Sequence, residues 1–508
     1  MARLHEYQGK AILAKHGFEI PRGGAASTPE EAARLAQSIG APVVVKIQAW
    51  TTGRAAIGGV AFANSADEAA AHAKRMLAMR VGNFPVTQVL VEEKLALSRE
   101  LFVSLSIDDH ARAPMILLSL AGGSGIEGRA AEVHRLGCDV RSGPNPEELS
   151  RAIDSIKLEL KLRERLVAAV NGVFSVARAI EARSVEINPL AITKDGRIVA
   201  ADCRMTVDDY AVFRHPDLGI DIARELDHPP TALERLAYQV EQDDHRGTFY
   251  FAQLATEPGP GSKGLAGFHG AGGGGSMMSM DAITNEGFTI ANFTDTSGNP
   301  SAAKVYRAAR IILAQPGLCG YFGSGSGVAS QEQFWQAYGI SKAFWELDLN
   351  IPAVIRLGGN SEDRAVEVLQ DGTRGLTATI EGYRKDDPPA KIAKRFAELV
   401  AKSSVKWKPR PPRRPAFVGA ASSLSFPTKG GKVWFDLSQW PRAKSVAERF
   451  AANVLTDNNG RPAPAVKPED FATKDSELIA TEVECRRAGI DAVFVHLDVP
   501  GLVDLVGQ

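Results

Sequence analysis

Short apolar runs alternate with glycine-rich turns and helical segments from Gly264 to Leu357. Strands that alternate with helices in this way predict a parallel, flavodoxin-like sheet, whose ligand loops follow the carboxyl ends of the strands. This part of the chain is therefore expected to be α/β. The runs predicted as strands are Leu265–Phe268, Phe288–Phe293, Leu318–Phe322 and Ala353–Leu357, and those predicted as helices are Met277–Asn285 and Ser301–Leu313.

Two small-residue loops are the candidate ligand loops of this sheet. His269–Ser276 has the sequence HGAGGGGS, and Phe322–Ser330 has the sequence FGSGSGVAS. The second loop precedes a helix that is predicted to begin at Gln331, so its backbone N–H groups and the positive end of that helix can form an anion site. A flexible connection is the alternative interpretation. The candidate residues of the anion site are Gly325, Ser326 and Gly327.

A predicted β-hairpin in the first half carries a candidate metal site. Two apolar runs, Val185–Ile187 and Ile198–Ala201, flank a polar turn. Glu186, Asn188 and Asp202 lie at or beside the strand ends, where their side-chain oxygens can converge on one ion. Carboxylate and amide oxygens with open positions suit Mg²⁺, which completes its shell with water and substrate phosphate. An ordinary hairpin with a polar rim is the alternative.

Three further features of the first half are compatible with nucleotide binding. An apolar strand predicted at Pro42–Gln48 carries Lys46 directly after Val43–Val45 and delivers its ammonium to a buried edge, with solvent exposure as the alternative. The small-residue loop Thr51–Gly59 can contact phosphates through backbone N–H groups, although it matches neither the Walker nor the Rossmann pattern. Glu92 and Glu100 bracket a short connection, and such carboxylates either are solvated or hold an adenine amine and ribose hydroxyls.

Length and composition exclude several classes of protein. With 508 residues the chain is too long for one core, so three or more structural units are expected. A net charge of −1 gives no electrostatic case for nucleic acid or an anionic membrane as a partner. The four cysteines form no CxxC pair, which indicates neither a zinc site nor a disulfide framework. Without a signal peptide or a long apolar run, the expected location is the cytoplasm.

Several motifs occur in order between residues 4 and 218. They are LHEYQGKAIL at 4–13, VVVKIQAWTTGRAAIGGV at 43–60, VLVEEKLALSREL at 89–101, VEINPLAITKDG at 185–196, and Asp202 followed by AVFRHPDL at 211–218. In this order and spacing they resemble the β subunit of succinyl-CoA synthetase. The resemblance implies an α/β protein with an α+β ATP-grasp first half and a flavodoxin-like CoA-ligase second half, at 1–238 and 239–400. Beyond it, the sequence itself predicts a linker at 401–416 and a small α/β C-terminal appendage at 417–508.

The resemblance also implies an activity and a set of site residues. The expected reaction joins a carboxylic acid to CoA at the expense of ATP or GTP, and releases a nucleoside diphosphate and phosphate. Asn188 and Asp202 would hold Mg²⁺. The lysine and the metal would together neutralise the charge that develops on the phosphates. The residues that would bind the nucleotide are Lys46, Gly53, Arg54, Ala55, Glu92, Leu95 and Glu100.

A partner subunit is part of the same expectation. In the family the nucleophilic histidine belongs to the α subunit, and no α-type sequence is recognisable in this chain. A CoA-binding α-type subunit that carries a phosphohistidine is therefore expected, which makes the protein a hetero-oligomer. His269 stands where the family has an asparagine. It is expected to make the same hydrogen bonds as a neutral side chain, and a role as a second phosphoryl carrier is the alternative.

The chain departs from the family pattern at two loops. Trp50, Thr51, Thr52, Ala55 and Ala56 replace a glycine-rich loop that the family flanks with a histidine and a lysine. Residues 295–300 read DTSGNP, where the family has an aspartate, a valine and three glycines. Succinate is therefore not assumed as the acid. Two alternatives stay open: an ATP-grasp carboxylate–amine ligase without CoA, and a nucleotide-binding regulatory subunit that has lost turnover.

The resemblance ends near residue 400. Residues 406–414 read KWKPRPPRR and predict an extended linker, which serves either as a solvated spacer or as a contact for an acidic partner surface. The segment that follows is expected to form the small appendage, either a subunit contact or a cover for the substrate. Its predicted strands are Lys432–Phe435 and Ala492–Leu497, and its predicted helices are Ala443–Val454 and Lys474–Ala488.

Overall fold

The structure is a computed structural model that describes residues 2–40, 42–120, 122, 133–224, 226–243, 248–325, 329–428, 431–444 and 475–506. The chain divides into two compact units, residues 1–230 and residues 231–508. The domain boundary expected at residue 238 falls within a helix of the second unit, Ala232–Asp243. Among the described residues, no helix combines the length and apolar character needed to span a bilayer.

The first unit is built mainly from antiparallel strands. They are β1 (Ala2–Arg3), β2 (Gly23–Ala26), β3 (Val43–Ile47), β4 (Val60–Ala63), β5 (Arg80–Val81), β6 (Phe84–Pro85), β7 (Val89–Glu93), β8 (Leu97–Asp108), β9 (Ala113–Ser119), β10 (Val133–Asp139), β11 (Gly143–Pro144), β12 (Ala182–Thr193), β13 (Ile198–Ala200) and β14 (Arg204–Val207). The helices are α1 (Glu6–Lys15), α2 (Pro29–Ile39), α3 (Ala66–Leu77), α4 (Pro146–Asp154) and α5 (Leu160–Ala179).

Two sheets of the first unit frame the candidate nucleotide site. The smaller sheet has the order β2-β7-β3-β4, and α2 and α3 pack against it. Thr28 and Ser65 cap these two helices by accepting backbone N–H bonds. The larger sheet has the order β1-β14-β12-β8-β9-β10-β11, with β13 beside β12, and α5 packs on β12 and β8. Residues of both sheets face one cavity, described below.

The second unit contains the predicted parallel sheet. The strands of the second unit up to residue 383 are β15 (Tyr250–Gln253), β16 (Leu265–Ala271), β17 (Thr289–Ile290), β18 (Asn292–Asp295), β19 (Leu318–Gly325), β20 (Ala329–Glu332), β21 (Ala353–Arg356), β22 (Gly359–Asn360) and β23 (Ile380–Tyr383). Strands β20 and β22 pair with each other, outside the parallel sheet. The helices of the second unit up to residue 401 are α6 (Ala232–Asp243), α7 (Gly273–Asn285), α8 (Ala302–Ile312), α9 (Phe334–Glu346), α10 (Glu362–Gly372) and α11 (Pro389–Ala401).

The sheet order is β15-β18-β16-β19-β21-β23, and every pair except β15–β18 is parallel. Side chains alternate between the two faces of a strand. Phe268 and Phe322 accordingly pack with Phe396 of α11, whereas Tyr321 and Ile355 pack with α8 and α9 on the other face. The α/β class expected from the sequence is confirmed.

The C-terminal segment packs into the core of the second unit. Its elements are β24 (Ser423–Thr428), β25 (Gly431–Asp436), α12 (Asp475–Arg487), β26 (Val493–Leu497) and α13 (Leu502–Val506). The three strands form an antiparallel sheet, and Phe435, Val483 and Val495 share one hydrophobic cluster with Tyr306 of α8 and Tyr338 of α9. The helix predicted at Ala443–Val454 lies mostly outside the described residues.

The segment expected as a solvated spacer is anchored to the second unit. Trp407 is buried, and its indole N–H donates to the carbonyl of Leu313 at 2.6 Å. Arg413 donates to Asp348 at 3.1 Å, and its guanidinium lies 4.3 Å from the Trp345 ring centroid. The spacer interpretation is wrong for this part of the chain, because the tryptophan between the basic residues gives the segment an apolar contact that its charge and prolines did not indicate.

Candidate nucleotide and metal site

A cavity of about 950 Å³ in the first unit collects most of the predicted site residues. Strands β3, β7, β8 and β12 each contribute to its wall, together with the start of α1 and the loop after β3. The predicted residues that line it are Lys46, Gly53, Arg54, Ala55, Glu92, Leu95, Glu100, Asn188 and Asp202. Residues from distant parts of the chain therefore meet at one place that is large enough for a small ligand.

The β12–β13 hairpin brings Asn188 and Asp202 to this wall. Leu190 to Ile192 pair with Ile198 to Ala200, and a register shift in the pairing with β8 falls between Ile187 and Leu190. The N–H of Ala201 donates to the carbonyl of Pro189 at 3.1 Å, so Asp202 leaves the hairpin beside Asn188. A hairpin is present as predicted, but the first arm is Leu190 to Ile192 and not Val185 to Ile187. Val185 to Ile187 pair with β8 instead, and Val185 and Glu186 also pair with β14.

The residues at the end of the hairpin fit a magnesium ion. Glu186, Asn188 and Asp202 line the same cavity and offer only oxygen ligands. The described residues contain no group of three or more His, Cys, Asp or Glu that could hold a metal. That result excludes a dedicated protein cage there but not Mg²⁺, which binds through one or two protein ligands and completes its shell with water and substrate phosphate.

Lys46 lies at the centre of a cluster of buried charges. Its ammonium is 2.8 Å from Glu6 and 3.0 Å from Glu92, and it donates to the carbonyl of Ala201 at 2.9 Å. Lys10 contacts the same two carboxylates, at 2.7 Å from Glu6 and 2.6 Å from Glu92. The predicted delivery of the lysine to a buried edge agrees with this geometry, whereas Glu6 and Lys10 were not identified from the sequence.

Arg54 connects this cluster to the candidate metal ligand. Its guanidinium is 2.6 Å from Glu6 and 2.6 Å from Asp202. The other carboxylate oxygen of Asp202 accepts the N–H of Cys203 at 2.7 Å. The side chain of Asp202 is 28% exposed, compared with 12% for Arg54 and 12% for Lys46. Asp202 is therefore the group of this cluster that a ligand in the cavity reaches most easily.

The surrounding charges keep Glu6, Lys46 and Arg54 ionised. Burial would raise the pKa of Glu6, but Lys46, Lys10 and Arg54 together hold it well below its usual value. Burial would likewise lower the pKa of Lys46, but Glu6, Glu92 and Asp202 raise it well above the ordinary lysine value. The pKa of Arg54 is raised in the same way by Glu6 and Asp202, against the effect of burial. Lys46 is thus a fixed cation at neutral pH.

Glu92 is buried and already paired, whereas a carboxylate that binds a nucleotide base must be accessible to the base. Its side chain is only 3% exposed, and it accepts hydrogen bonds from Lys10 at 2.6 and 2.7 Å. Leu95 lies on the connection to β8 and Glu100 lies in β8 itself, and both line the cavity. The carboxylate of Glu92 therefore orients the two lysines, and the parts of this segment that face the cavity directly are the residues after it.

The second predicted site lies in the second unit, at the carboxyl ends of the parallel strands. His269 is on β16, fully within the sheet, and not on a loop as expected. One ring nitrogen is 2.5 Å from the Tyr321 hydroxyl, and the other is 3.1 Å from the Thr296 hydroxyl. Burial lowers the pKa of His269 to about 3. This geometry favours the neutral hydrogen-bonding role over the carrier role, because both nitrogens are already engaged.

The glycine loop of the second site differs from the prediction in its connection to the helix. Gly325 ends β19, and its carbonyl accepts a bond from Arg356 at 2.9 Å. Ser326 and Gly327 lie outside the described residues. The helix predicted to begin at Gln331 begins at Phe334, and β20 lies between the loop and the helix. The expectation that the loop leads directly into the helix is wrong, because residues 329–332 pair with β22 instead.

Comparisons with known proteins identify the domain type of the first unit and the relatives of the chain. A family model described as an ATP-grasp domain matches residues 3–192. The succinate–CoA ligase [GDP-forming] subunit beta of Thermus thermophilus is 34% identical over 372 residues, which cover 72% of this chain and 93% of that protein. The succinate–CoA ligase [ADP-forming] subunit beta 1 of Archaeoglobus fulgidus is 33% identical over 374 residues, which cover 72% of this chain and 92% of that one.

A solved structure supports the same fold. ATP citrate lyase from Methanothrix soehngenii superimposes with a TM-score of 0.62 at 18% identity, over 78% of this chain and 99% of that chain. At this identity the similarity concerns the fold alone. The sequence relatives carry the assignment, since each match is longer than either unit and almost the whole length of each relative is covered. The chain therefore belongs to the β-subunit family of the succinate–CoA ligases, a family of nucleotide-binding, nucleoside-diphosphate-forming acid–CoA ligases.

Proposed function

We propose that this chain is the nucleotide-binding β subunit of an enzyme that converts a carboxylic acid, CoA and ATP or GTP into acyl-CoA, nucleoside diphosphate and phosphate. The observation that carries the proposal is the cavity in which Lys46 and Arg54 stand beside the oxygen ligands Asn188 and Asp202. Fixed cations beside a metal-binding carboxylate are what phosphoryl transfer requires, since catalysis there is mainly positioning and charge stabilisation.

The proposed reaction has three transfers. The γ-phosphoryl group moves from the nucleotide to an imidazole nitrogen of the partner α subunit, and the nucleoside diphosphate leaves. A carboxylate oxygen of the acid then attacks the phosphohistidine to give an acyl phosphate and free imidazole. The CoA thiolate finally attacks the acyl carbon, and inorganic phosphate leaves. The partner supplies the histidine and the CoA site, so the proposed enzyme is a hetero-oligomer.

Charge balance in the cavity explains why a metal ion is needed. Lys10, Lys46 and Arg54 are paired with the carboxylates of Glu6, Glu92 and Asp202, so the cluster itself has no excess positive charge. A nucleoside triphosphate brings several negative charges into this space. Mg²⁺ held by Asn188 and Asp202 would supply the missing positive charge and polarise the transferring phosphoryl group.

The remaining residues of the first unit have supporting roles in this proposal. The backbone N–H groups of Gly53 and Ala55 face the phosphates, and Lys46 contacts them with its ammonium. Leu95 and Glu100 contact the base and the ribose, while Glu92 holds Lys46 in place. Gly53 has a φ of 63°, a conformation that favours glycine, so a side chain at this position would strain the loop.

The acid is proposed to bind in the second unit, at the strand ends near Gly325, and the proposed site includes Ser326 and Gly327, which follow Gly325 in the sequence. His269 would fix the local geometry through Tyr321 and Thr296 as a neutral side chain. The DTSGNP segment at 295–300 differs from the family pattern and lies directly after β18. Contacts to the acid are what such a difference alters, so the proposal names a carboxylic acid and not succinate specifically.

Rapid-quench labelling with γ-labelled ATP tests the proposal. The chain, purified with its α-type partner, should form an acid-labile phosphoprotein, and adding acid and CoA should discharge it. A product formed from acid and amine without any phosphoprotein would point to a carboxylate–amine ligase instead. Nucleotide binding without turnover would point to a regulatory subunit, and turnover of acid and CoA by the isolated chain would overturn the two-subunit proposal.

A further inference from the structure

An aromatic group forms part of the cavity wall at the loop that follows β3. The His5 ring stacks on Trp50 with centroids 4.8 Å apart and an interplanar angle of 8°, and Phe84 meets Trp50 edge-on at 5.5 Å and 81°. Trp50 is nevertheless 42% exposed. A ring that packs against two aromatic neighbours and is still exposed in a cavity wall presents an aromatic face to a ligand in the cavity.

A second exposed ring lies elsewhere along the same wall. Phe62 is 58% exposed, and the ammonium of Lys94 lies 4.7 Å from its ring centroid. Strand pairing places Phe62 at the same level of the sheet as Glu92. Val44 of β3 pairs with Phe62 of β4 on one side and with Glu92 of β7 on the other. Phe62 is therefore level with the Glu92–Leu95 connection, where the proposed function puts the base.

The order of residues along β3 places Lys46 between the two rings. Lys46 is two positions beyond Val44, opposite Val60, and Trp50 follows the end of the strand in the same direction. A nucleotide with its base near Phe62 and its phosphates at Lys46 thus has its terminal phosphate directed towards Trp50. Trp50 therefore lies on the phosphate side of a nucleotide placed in this way, and not on the side of the base.

We infer that the Trp50 indole, held by His5 and Phe84, receives the imidazole ring of the partner subunit's phosphorylatable histidine; this inference rests on the proposed function. Aromatic rings of this kind associate by stacking or edge-on contact. The contact holds the imidazole so that its nitrogen lone pair faces the γ-phosphorus. The N–P bond forms as the P–O bond to the nucleoside diphosphate breaks, and the bonding electrons leave on the diphosphate oxygen. Trp50 is a positioning residue and exchanges no proton or electron.

Kinetics of the purified complex with its α-type partner test this role. Trp50→Ala should slow phosphohistidine formation at saturating ATP roughly 3- to 10-fold, the effect of one aromatic contact, and leave the Kd for ATP unchanged. Trp50→Phe and Trp50→His should retain most of the rate, because each keeps a ring. Phe62→Ala should instead weaken ATP binding. Phe213→Ala removes an exposed ring of the same unit that does not line this cavity, and should change neither quantity.

Indole NMR of the chain by itself gives a second measurement. The Trp50 N–H resonance is identified by its loss in Trp50→Phe, and imidazole is then titrated in the presence of ADP and Mg²⁺. The expected result is a shift of the Trp50 resonance with imidazole and none with adenosine alone. A shift with adenosine would assign Trp50 to the base and overturn the inference.

The outcomes separate the inference from the function on which it rests. Phosphohistidine formation at the wild-type rate in Trp50→Ala would overturn the role of Trp50 and leave the proposed function standing. A wild-type complex that forms no phosphohistidine would overturn both. If Trp50→Ala fails to fold, the decision comes from the imidazole titration of the wild-type chain.

Discussion

Each unit of this protein contains a cluster of buried charges, and the two clusters differ in what surrounds them. In the first unit, Lys46 and Arg54 are each 12% exposed and Asp202 is 28% exposed, beside a cavity of about 950 Å³. In the second unit, Lys342 is 0%, Glu346 1% and Glu482 2% exposed, within the hydrophobic core that joins α8, α9 and α12.

The hydrogen bonds of the second cluster are made within the fold. Lys342 is 2.6 Å from Glu346 and 2.5 Å from Glu482, and Glu482 also accepts bonds from Arg486 and from the N–H of Val495. A charge whose partners all lie within the core cannot exchange them for a ligand unless the surrounding structure unfolds. Lys46, Arg54 and Asp202 reach the cavity and can exchange partners with a ligand there. This part of the first cluster is therefore suited to ligand binding, whereas the second cluster holds the C-terminal segment in place.

Breaking the closed cluster should have the largest effect on stability. Lys342→Met removes the ammonium that Glu346 and Glu482 share, and breaking a buried ion pair by removing one partner costs about 3–5 kcal/mol. The free energy of unfolding, measured by chemical denaturation, should fall by that amount. Lys391→Met is the matched control, because Lys391 also pairs with a residue four positions away but is 66% exposed. An equal loss in both variants would refute the distinction between the clusters.

Asp202→Asn should have the largest effect on activity. It removes the anionic ligand proposed for Mg²⁺, whose charge stabilisation is worth several kcal/mol, so phosphoenzyme formation should slow about 10²- to 10³-fold. Stability should change by about 0–1 kcal/mol, because Asp202 is the more exposed member of the pair and Arg54 keeps its ion pair with Glu6. A Mg²⁺ titration of phosphoenzyme formation, beside a thermal melt, measures both effects.

Asp195→Asn provides a control within the same hairpin. Asp195 is 64% exposed in the turn between β12 and β13 and pairs with Arg197. This variant should keep the wild-type rate and the wild-type dependence on Mg²⁺. An unaltered metal dependence in Asp202→Asn would remove the metal assignment and the main support for the cavity as a site of phosphoryl transfer.

His269→Asn should change how stability depends on pH. Burial lowers the pKa of His269 to about 3 in the folded protein, whereas an unfolded histidine titrates near ~6.5. Between these values only the unfolded chain binds the proton, so the contribution of His269 to stability is complete above ~6.5 and is lost as the pH falls towards 3, at up to about 1.4 kcal/mol per pH unit.

The asparagine variant should therefore show a shallower fall in the free energy of unfolding between pH 6.5 and 4. The same variant tests the carrier alternative, because labelled phosphate should be recovered on the partner subunit in both proteins. Label recovered on His269 of the wild-type chain would contradict the neutral role. An unchanged pH slope in His269→Asn would contradict the buried, unprotonated state.

The parts of the fold and the site that were predictable from the sequence are those with a local signal. The β12–β13 hairpin has apolar runs around a polar turn, and the parallel sheet has regular alternation of strand and helix. Glu6 and Lys10 were missed because a charged helix near a terminus resembles a solvated one. A signal was present, since residues 6, 9, 10 and 13 follow helical spacing along the buried stripe of α1, which places two charges on the apolar face.

The arrangement of the C-terminal segment had no comparable signal. Packing of α12 on α8 and α9 joins residues more than a hundred positions apart, such as Lys342 and Glu482, and no periodicity within either helix indicates the other. Trp407 lies in a basic, proline-rich stretch whose composition predicts an exposed linker. Composition describes average exposure, whereas one buried aromatic side chain decides where such a segment lies.

The smallest effect is expected at Glu484, which lies two residues from Glu482 on α12. Glu484 accepts a bond from the Tyr338 hydroxyl at 2.5 Å and is 42% exposed. Glu484→Gln keeps an oxygen acceptor for Tyr338 and loses only a screened charge beside Arg487, so stability should fall by no more than about 1 kcal/mol.

Glu482→Gln should cost about 3–5 kcal/mol, because Lys342 and Arg486 lose the charge of their shared carboxylate inside the core. Denaturant unfolding of the two variants under one condition compares their free energies of unfolding. If Glu484→Gln cost as much as Glu482→Gln, exposure would not be what separates structural charges from exchangeable ones, and the contrast between the two units would need another explanation.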